Sequence, residues 1–124
     1  KTNIHIHLDL IAGLPGETYP QFLKSIDRVI SLGADHLQIE PVKLLPGAPL
    51  RNQADKWGIH YDPNPPYTVL ASADLNFADL ERLRGIGLLL DLLVNSGRFR
   101  FLLPCLTDHF VQLSLFLEDL DKYW

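Results

Sequence analysis

The chain has 124 residues, of which 47% are hydrophobic, and its formal net charge is −4. That length is enough for one domain with a buried core but too short for an eight-unit barrel, which needs roughly 250 residues. The scattered lysines and arginines exclude a basic footprint for nucleic acid, and no apolar run approaches the ~20 residues of a membrane span.

The chain contains a single cysteine and no methionine. Cys105 alone excludes an intrachain disulfide and does not supply a structural metal site. No signal peptide is visible, and this cysteine usage favours a reducing, cytoplasmic location. Because Lys1 and Thr2 lead almost at once into strand-like sequence, we expect the chain to be excised from a longer polypeptide.

The first predicted element is an alternating strand, residues 3–11, that leads into a glycine-rich turn. Successive side chains of a strand point to opposite faces of the sheet. The apolar row, expected to pack under helices, is Ile4, Ile6, Leu8 and Leu10. The polar row is His5, His7 and Asp9. A polar face of this kind fits a solvated edge strand or a barrel strand whose inner face meets a polar ligand.

A helix is predicted directly after the turn. Thr18 and Gln21 have the spacing of a capping box, Pro20 falls in the first turn where it costs no hydrogen bond, and Gly33 follows the last helical residue. These signals predict a helix that begins after Thr18 and ends before Gly33.

A second strand, residues 36–42, repeats the asymmetry of the first. Its polar side chains are Gln38 and Glu40, and its apolar side chains point the other way. Strand, helix and strand together predict a right-handed βαβ unit with two parallel strands over residues 1–47. Because both strands are polar on the same face, the pattern favours a barrel interior over an edge strand.

The remaining chain divides into a connection and a helical region. Residues 48–75 are punctuated by proline and glycine, which leaves room for only a short helix over residues 50–57, closed by Gly58. Residues 76–124 are predicted to be helical, and the first of these helices is capped by Asn76.

The last helix is predicted to begin at Thr107, because apolar residues then recur every three or four positions. Those residues are Phe110, Leu113, Leu117, Leu120 and Trp124. Aromatic residues at this spacing are far more often part of a core than of a cofactor site.

Residues 9–18, Asp-Leu-Ile-Ala-Gly-Leu-Pro-Gly-Glu-Thr, are similar to the fifth barrel strand and following turn of radical S-adenosylmethionine enzymes. The similar branch includes oxygen-independent coproporphyrinogen oxidase and the methylthiotransferases. Residues 37–47 resemble the sixth strand, and residues 65–70 and 95–99 resemble the C-terminal region of cobalamin-binding relatives of unknown substrate. The resemblance implies an α/β fold: the C-terminal fragment of a (β/α)6 partial TIM-like barrel, with a helical region after it.

The same resemblance implies a pocket for S-adenosylmethionine at the strand ends. Asp9 would bond a polar group of the cofactor, the backbone at Ile11 would meet the adenine, Gly13 would allow close approach, Glu17 would stabilise the turn, and Val42 would line the pocket. Simpler roles stay open: Asp9 bonding a neighbouring strand or histidine, Gly13 serving turn geometry, and Glu17 serving the helix amino end.

Five further residues are expected to face the substrate of the parent enzyme: His5, His7, Gln38, Glu40 and Lys43. For Lys43 a solvated surface position is the simpler reading. No catalytic residue and no metal ligand is assigned within this chain.

One departure from the family pattern bears on activity. The family holds a 4Fe-4S cluster through a Cys-x-x-x-Cys-x-x-Cys loop, whereas this chain has only Cys105. The resemblance therefore implies a 4Fe-4S cluster and S-adenosylmethionine for a longer parent protein, and it leaves cobalamin open. The isolated chain is expected to bind none of these cofactors and to be inactive. Its expected partner is the missing N-terminal part of the same polypeptide.

Two other interpretations remain. His5-x-His7 on one strand is also found in metal-dependent hydrolases, where imidazoles bind zinc. Alternatively, the chain is a non-catalytic α/β interaction domain. Cutting a barrel between its fourth and fifth strands leaves the fifth strand with an unpaired edge, so we expect the isolated chain to form a homodimer through residues 3–11. The competing expectation is a monomer in which the long connection or the last helix folds back over that edge.

Overall fold

The chain folds as a mixed α/β structure. The computed structural model describes residues 3–110 and 112–123, without the side chain of Thr107. In chain order the elements are β1 (His7–Ala12), α1 (Tyr19–Ser31), β2 (His36–Pro41), α2 (Pro49–Asn52), β3 (His60–Tyr61), β4 (Val69–Ala71), α3 (Phe77–Leu90), α4 (Leu102–His109) and α5 (Leu113–Asp121). A 3-10 turn, Asp55–Trp57, follows α2, and a π-helical turn, Asp91–Asn95, continues α3.

The predicted strand–helix–strand unit is confirmed. β1 and β2 pair in parallel, with His7 opposite His36 and Ala12 opposite Pro41. At the start of α1, the Thr18 backbone N–H donates to the Gln21 side-chain oxygen at 2.9 Å, as the capping spacing predicted.

The start of β1 was predicted too early. The strand begins at His7 rather than at residue 3, and Ile4 and Ile6 are 69% and 48% exposed instead of packing under helices. The physical reason is that β2 begins at His36, opposite His7. Before His7, the described contact with β2 is the bond from the His36 N–H to the Ile6 carbonyl, and the pairing does not continue toward residue 3. Leu8 and Leu10 do pack against the core.

The connection from 48 to 75 contains more regular structure than its sequence indicated. The predicted short helix is divided into α2 and the 3-10 turn, which Gly58 ends with a left-handed backbone. β3 and β4 form an antiparallel pair, which no periodic pattern in the sequence predicted. A bridge between Lys43 and Thr68 joins β4 to the chain that leaves β2.

The first C-terminal helix was predicted correctly at its start. The Asn76 side chain accepts from the Asp79 backbone N–H at 2.9 Å, and Asp79 returns a bond to the Asn76 backbone. The predicted cap at Thr107 is wrong, because Thr107 lies inside α4 and the chain becomes extended at Phe110 before α5 begins. Trp124 lies outside the described residues.

Two polar contacts fasten α5 to α1. The Asp27 carboxylate accepts from the backbone N–H and the hydroxyl of buried Ser114, at 2.8 and 2.7 Å. The Tyr19 hydroxyl donates to Glu118 at 3.1 Å, and burial, helped by this bond to a carboxylate, raises the pKa of Tyr19. Among the described helices, none is long and apolar enough to cross a membrane.

Candidate functional site

The polar residues of the two strands lie on one face of the sheet, as predicted. In the parallel register Asp9 is opposite Gln38 and Ile11 is opposite Glu40, so these side chains point to the same side as His7. The other face, which carries Leu8 and Leu10, packs against the core. We call the first side the polar face, formed by His7, Asp9, Ile11, His36, Gln38 and Glu40.

Histidines occupy the amino end of the polar face. The rings of His7 and His36 stack with their centroids 4.9 Å apart. His5 lies before β1, is exposed, and brings its Nδ1 within 3.9 Å of an Asp35 carboxylate oxygen. Sequence reasoning placed His5 and His7 on one strand face. It missed the stacking of His36 on His7, because the parallel register alone brings these two rings together.

A hydrogen-bonded chain of side chains occupies the carboxyl end of the polar face on β2. Glu40 accepts from the Gln38 side-chain amide and from the Lys43 ammonium group, the latter at 3.3 Å. Lys43 is nevertheless exposed, so its contact with Glu40 is a surface ion pair. Gln38 and Glu40, both predicted to face the substrate, hold each other in place.

Asp9 and Ile11 differ from the rest of the polar face because no described side chain contacts them by a hydrogen bond or by ring stacking. Both are exposed, and among residues 3–110 and 112–123 the Asp9 carboxylate accepts no hydrogen bond. An exposed carboxylate on this face can accept hydroxyl or ammonium donors from a ligand.

The turn after β1 is used by the fold itself. Gly13 has a positive φ of 99°, and a Cβ there would lie 3.3 Å from the Val69 side chain, so a glycine is needed for close packing. Glu17 accepts from the Ser25 hydroxyl at 2.8 Å. Val42 is buried in the core. Of the five residues expected to meet the cofactor, these three have structural roles within the chain.

The two edges of the β1–β2 sheet differ in their partners. The backbone N–H groups of His36 and Val42 donate to Ile6 and Ala12. Alternate residues of a parallel strand bond to one neighbour, so the even-numbered residues of β1 bond to β2. The backbone groups of His7, Asp9 and Ile11 consequently point to the opposite edge, where the described chain supplies no strand.

The outer edge of β2 is closed by side-chain and helix contacts. The Asn95 side chain accepts from the Leu37 N–H at 3.0 Å and donates to the Leu37 carbonyl at 2.8 Å, as a neighbouring strand would. α3 crosses at Gly87, where an added Cβ would lie 3.5 Å from Ile39. Pro41 has no N–H to offer. Sequence reasoning took Asn95 only as a helix stop, since nothing local signals a partner 58 residues away.

No group of three or more histidine, cysteine, aspartate or glutamate side chains in the described residues is arranged to hold a metal ion. Cys105 is exposed on α4. The site is therefore a polar sheet face beside an open strand edge.

These features define an α/β protein with a parallel βαβ unit whose polar face lies next to an unpaired edge. Residues 55–124 match the family described as "Protein of unknown function (DUF4080)", and the chain belongs to that family. No curated protein matches the chain.

Proposed function

We propose that this chain is the C-terminal part of a radical S-adenosylmethionine iron–sulfur oxidoreductase, and that its polar face contributes part of the S-adenosylmethionine pocket. In this proposal β1 and β2 are the fifth and sixth strands of a partial (β/α)6 barrel. The isolated chain is inactive, because the cluster loop belongs to the missing N-terminal part of the polypeptide.

The observation that carries the proposal is the difference between the two sheet edges. β2 is closed on its outer side by Asn95, Gly87 and Pro41, so no strand can be added there. On the outer side of β1 the described residues supply no strand. A sheet built this way can grow only past β1, which is where the four earlier strands of such a barrel would stand.

The available groups suit part of the cofactor. The free carboxylate of Asp9 can accept from ribose hydroxyls or from the ammonium group. In this arrangement the neighbouring barrel strand pairs with His7 and Asp9 and ends before Ile11, so that the outward N–H and C=O of Ile11 can pair with a purine edge. Gly13, Glu17 and Val42 would act indirectly, by fixing the turn and the strand end. When bound in the parent, cluster and S-adenosylmethionine would supply reductive cleavage of the sulfonium.

The match of residues 55–124 to a family of unknown function fits this proposal. The segments at 65–70 and 95–99, which resemble the C-terminal region of cobalamin-binding relatives, fall within that match. This resemblance is the sole support for a cobalamin cofactor in the parent protein.

The test is made on the full-length protein encoded by the open reading frame that contains this chain. We expect a Cys-x-x-x-Cys-x-x-Cys loop upstream of Lys1. After anaerobic reconstitution we expect a 4Fe-4S signal in electron paramagnetic resonance and formation of 5′-deoxyadenosine from S-adenosylmethionine. Asp9→Asn should weaken S-adenosylmethionine binding about tenfold, the effect of losing a hydrogen bond to a charged group.

Asp55→Asn is the matched control, because Asp55 is an exposed carboxylate on the 3-10 turn, away from the polar face. It should leave S-adenosylmethionine binding unchanged. An open reading frame without the cysteine loop would overturn the proposal. Stoichiometric zinc in the purified protein, lost in His5→Ala and His7→Ala, would favour the hydrolase interpretation instead.

A second role, as an interaction domain, is favoured by one observation: the backbone groups of His7, Asp9 and Ile11 are open to another strand. In the intact protein we propose that the N-terminal part of the same polypeptide fills this edge. In the isolated chain we propose that a second copy fills it, through residues 3–11 across a two-fold axis.

A further inference from the structure

A groove of about 460 Å³ lies on the side of the molecule where β2 is closed. It runs between α3, the outer edge of β2 and β4, and we call it the α3 groove. Its volume is in the range of small-molecule sites. The proposed cofactor residues Asp9 and Ile11 do not line it.

The walls of the α3 groove are apolar and unusually exposed. Leu70 is 39% exposed, Phe77 57% and Leu88 58%, and all three line the groove. Below them the floor is formed by core side chains, among them Val69 and Leu83. Large apolar side chains gathered around a cavity gain free energy when an apolar ligand removes them from water.

The groove is long rather than round. Phe77 and Asp91, fourteen residues apart along one helix, both line it, and at 1.5 Å per residue they are separated by about 21 Å. A linear molecule fits this shape better than a compact one.

Three carboxylates line the groove, and they differ in how their charge is matched. Glu40 lies 3.3 Å from the Lys43 ammonium, and Glu81 lies 3.8 Å from the Arg84 guanidinium. Asp91 instead accepts from the neutral Asn95 amide at 2.6 Å. Its negative charge therefore has no cationic partner among the described residues.

The position of the Asp91 carboxylate is fixed by Asn95. Asn95 holds the Asp91 carboxylate and at the same time bonds the Leu37 backbone of β2. Asp91 is also the first residue of the π-helical turn, and such turns are frequent at functional sites. The groove thus has an apolar body and one preorganised acceptor of unmatched charge at its end.

We propose that the α3 groove binds a linear apolar molecule with one cationic group, whose body lies against Leu70, Phe77 and Leu88 and whose cation meets Asp91. The groove shares Gln38 and Glu40 with the polar face, but it uses neither Asp9 nor Ile11, the residues proposed to contact S-adenosylmethionine.

The test uses three ten-carbon probes below their micelle-forming concentrations: decylammonium, 1-decanol and decanoate. Binding to the 124-residue chain is followed by amide chemical shifts and by calorimetry. We expect decylammonium to bind most tightly and decanoate most weakly, with the largest shifts at Leu70, Phe77 and Leu88. Asp91→Asn should weaken decylammonium about fivefold, the worth of one charge pair in water, and leave decanol unchanged.

Asparagine keeps an oxygen that Asn95 can bond, so Asp91→Asn removes the charge and not the contact. Leu88→Ser should weaken all three probes, whereas Leu115→Ser, an exposed leucine on α5 outside the groove, should weaken none. Equal affinity for the three probes would overturn the cation assignment. Shifts confined to residues outside the groove, or full affinity in Leu88→Ser, would overturn the site.

Discussion

The two strands of the main sheet have similar sequence patterns, but their outer edges have different neighbours. β1 and β2 each carry one apolar and one polar face and pair residue for residue. On the outer side of β2, the Asn95 side chain bonds the Leu37 backbone and α3 covers Ile39 at Gly87. On the outer side of β1, the backbone groups of alternate residues meet no strand in the described chain.

This difference teaches where the sheet ends and where it can continue. Native proteins protect the edge strands of their sheets, because unpaired backbone groups recruit other strands. On β2 the Asn95 side chain, from the π-helical turn, bonds the Leu37 backbone in place of a neighbouring strand. Among residues 3–110 and 112–123, no comparable contact protects the outer side of β1.

The largest expected effect comes from proline placed on the two sides of β1. Leu8→Pro removes an N–H that faces β2, and we expect it to lower the free energy of unfolding by at least about 3 kcal/mol. His7→Pro removes an N–H that faces the open edge, and we expect less than about 1 kcal/mol. Urea unfolding at low protein concentration measures both.

Leu8→Ala is the control for Leu8→Pro, because it separates the lost packing from the lost backbone bond. If both prolines destabilise the chain equally, the parity of the β1 hydrogen bonds is wrong and the comparison of the two edges fails.

The next effect tests the closed edge. Asn95→Ala removes two bonds to the Leu37 backbone and one to Asp91, and we expect a loss of about 2–4 kcal/mol in unfolding free energy. Hydrogen exchange at the Leu37 amide should accelerate at the same time. Asn52→Ala, on an exposed residue at the end of α2, should stay within about 0.5 kcal/mol. An unprotected Leu37 amide in the unsubstituted chain would contradict the role given to Asn95.

Local signals explain which parts of the fold the sequence could predict. The alternation of β1 and β2 and the caps at Thr18 and Asn76 act over a few residues, so they could be recognised in the sequence. β3 and β4 are too short to have a period. Thr107 was taken as a cap because the apolar spacing continued past it, whereas the chain is extended at Phe110.

The candidate site divides in the same way. The shared polar face of His7, Asp9, Gln38 and Glu40 followed from strand alternation and is confirmed by the register. The structural uses of Gly13 and Glu17, and the closing role of Asn95, depend on contacts between distant segments. No pattern within one segment encodes such contacts.

The third effect concerns the open edge. Ile6→Lys places a charge in the segment through which the isolated chain is proposed to pair, and we expect its dimer dissociation constant to rise at least about tenfold. Sedimentation equilibrium measures the constant. Leu115→Lys adds the same charge on α5 and should leave it unchanged. A chain that stays monomeric at high concentration without any substitution would contradict edge pairing.

The smallest expected effect comes from adding a methyl group where α3 packs against the outer edge of β2. Gly87 lies in α3, and an added Cβ would stand 3.5 Å from the Ile39 Cβ, an ordinary contact distance. Alanine is the better helix former, so Gly87→Ala should raise the free energy of unfolding by about 0.5–1 kcal/mol.

Gly85→Ala is the matched comparison within the same helix. There an added Cβ would overlap the Asp121 carboxylate where α3 meets α5, so the Asp121 side chain must rotate away and the gain in stability should be smaller than for Gly87→Ala. Thermal unfolding of the two variants distinguishes them by the size of the change in melting temperature, which should be larger for Gly87→Ala. If Gly87→Ala destabilises the chain, α3 lies closer to the edge of β2 than this packing allows.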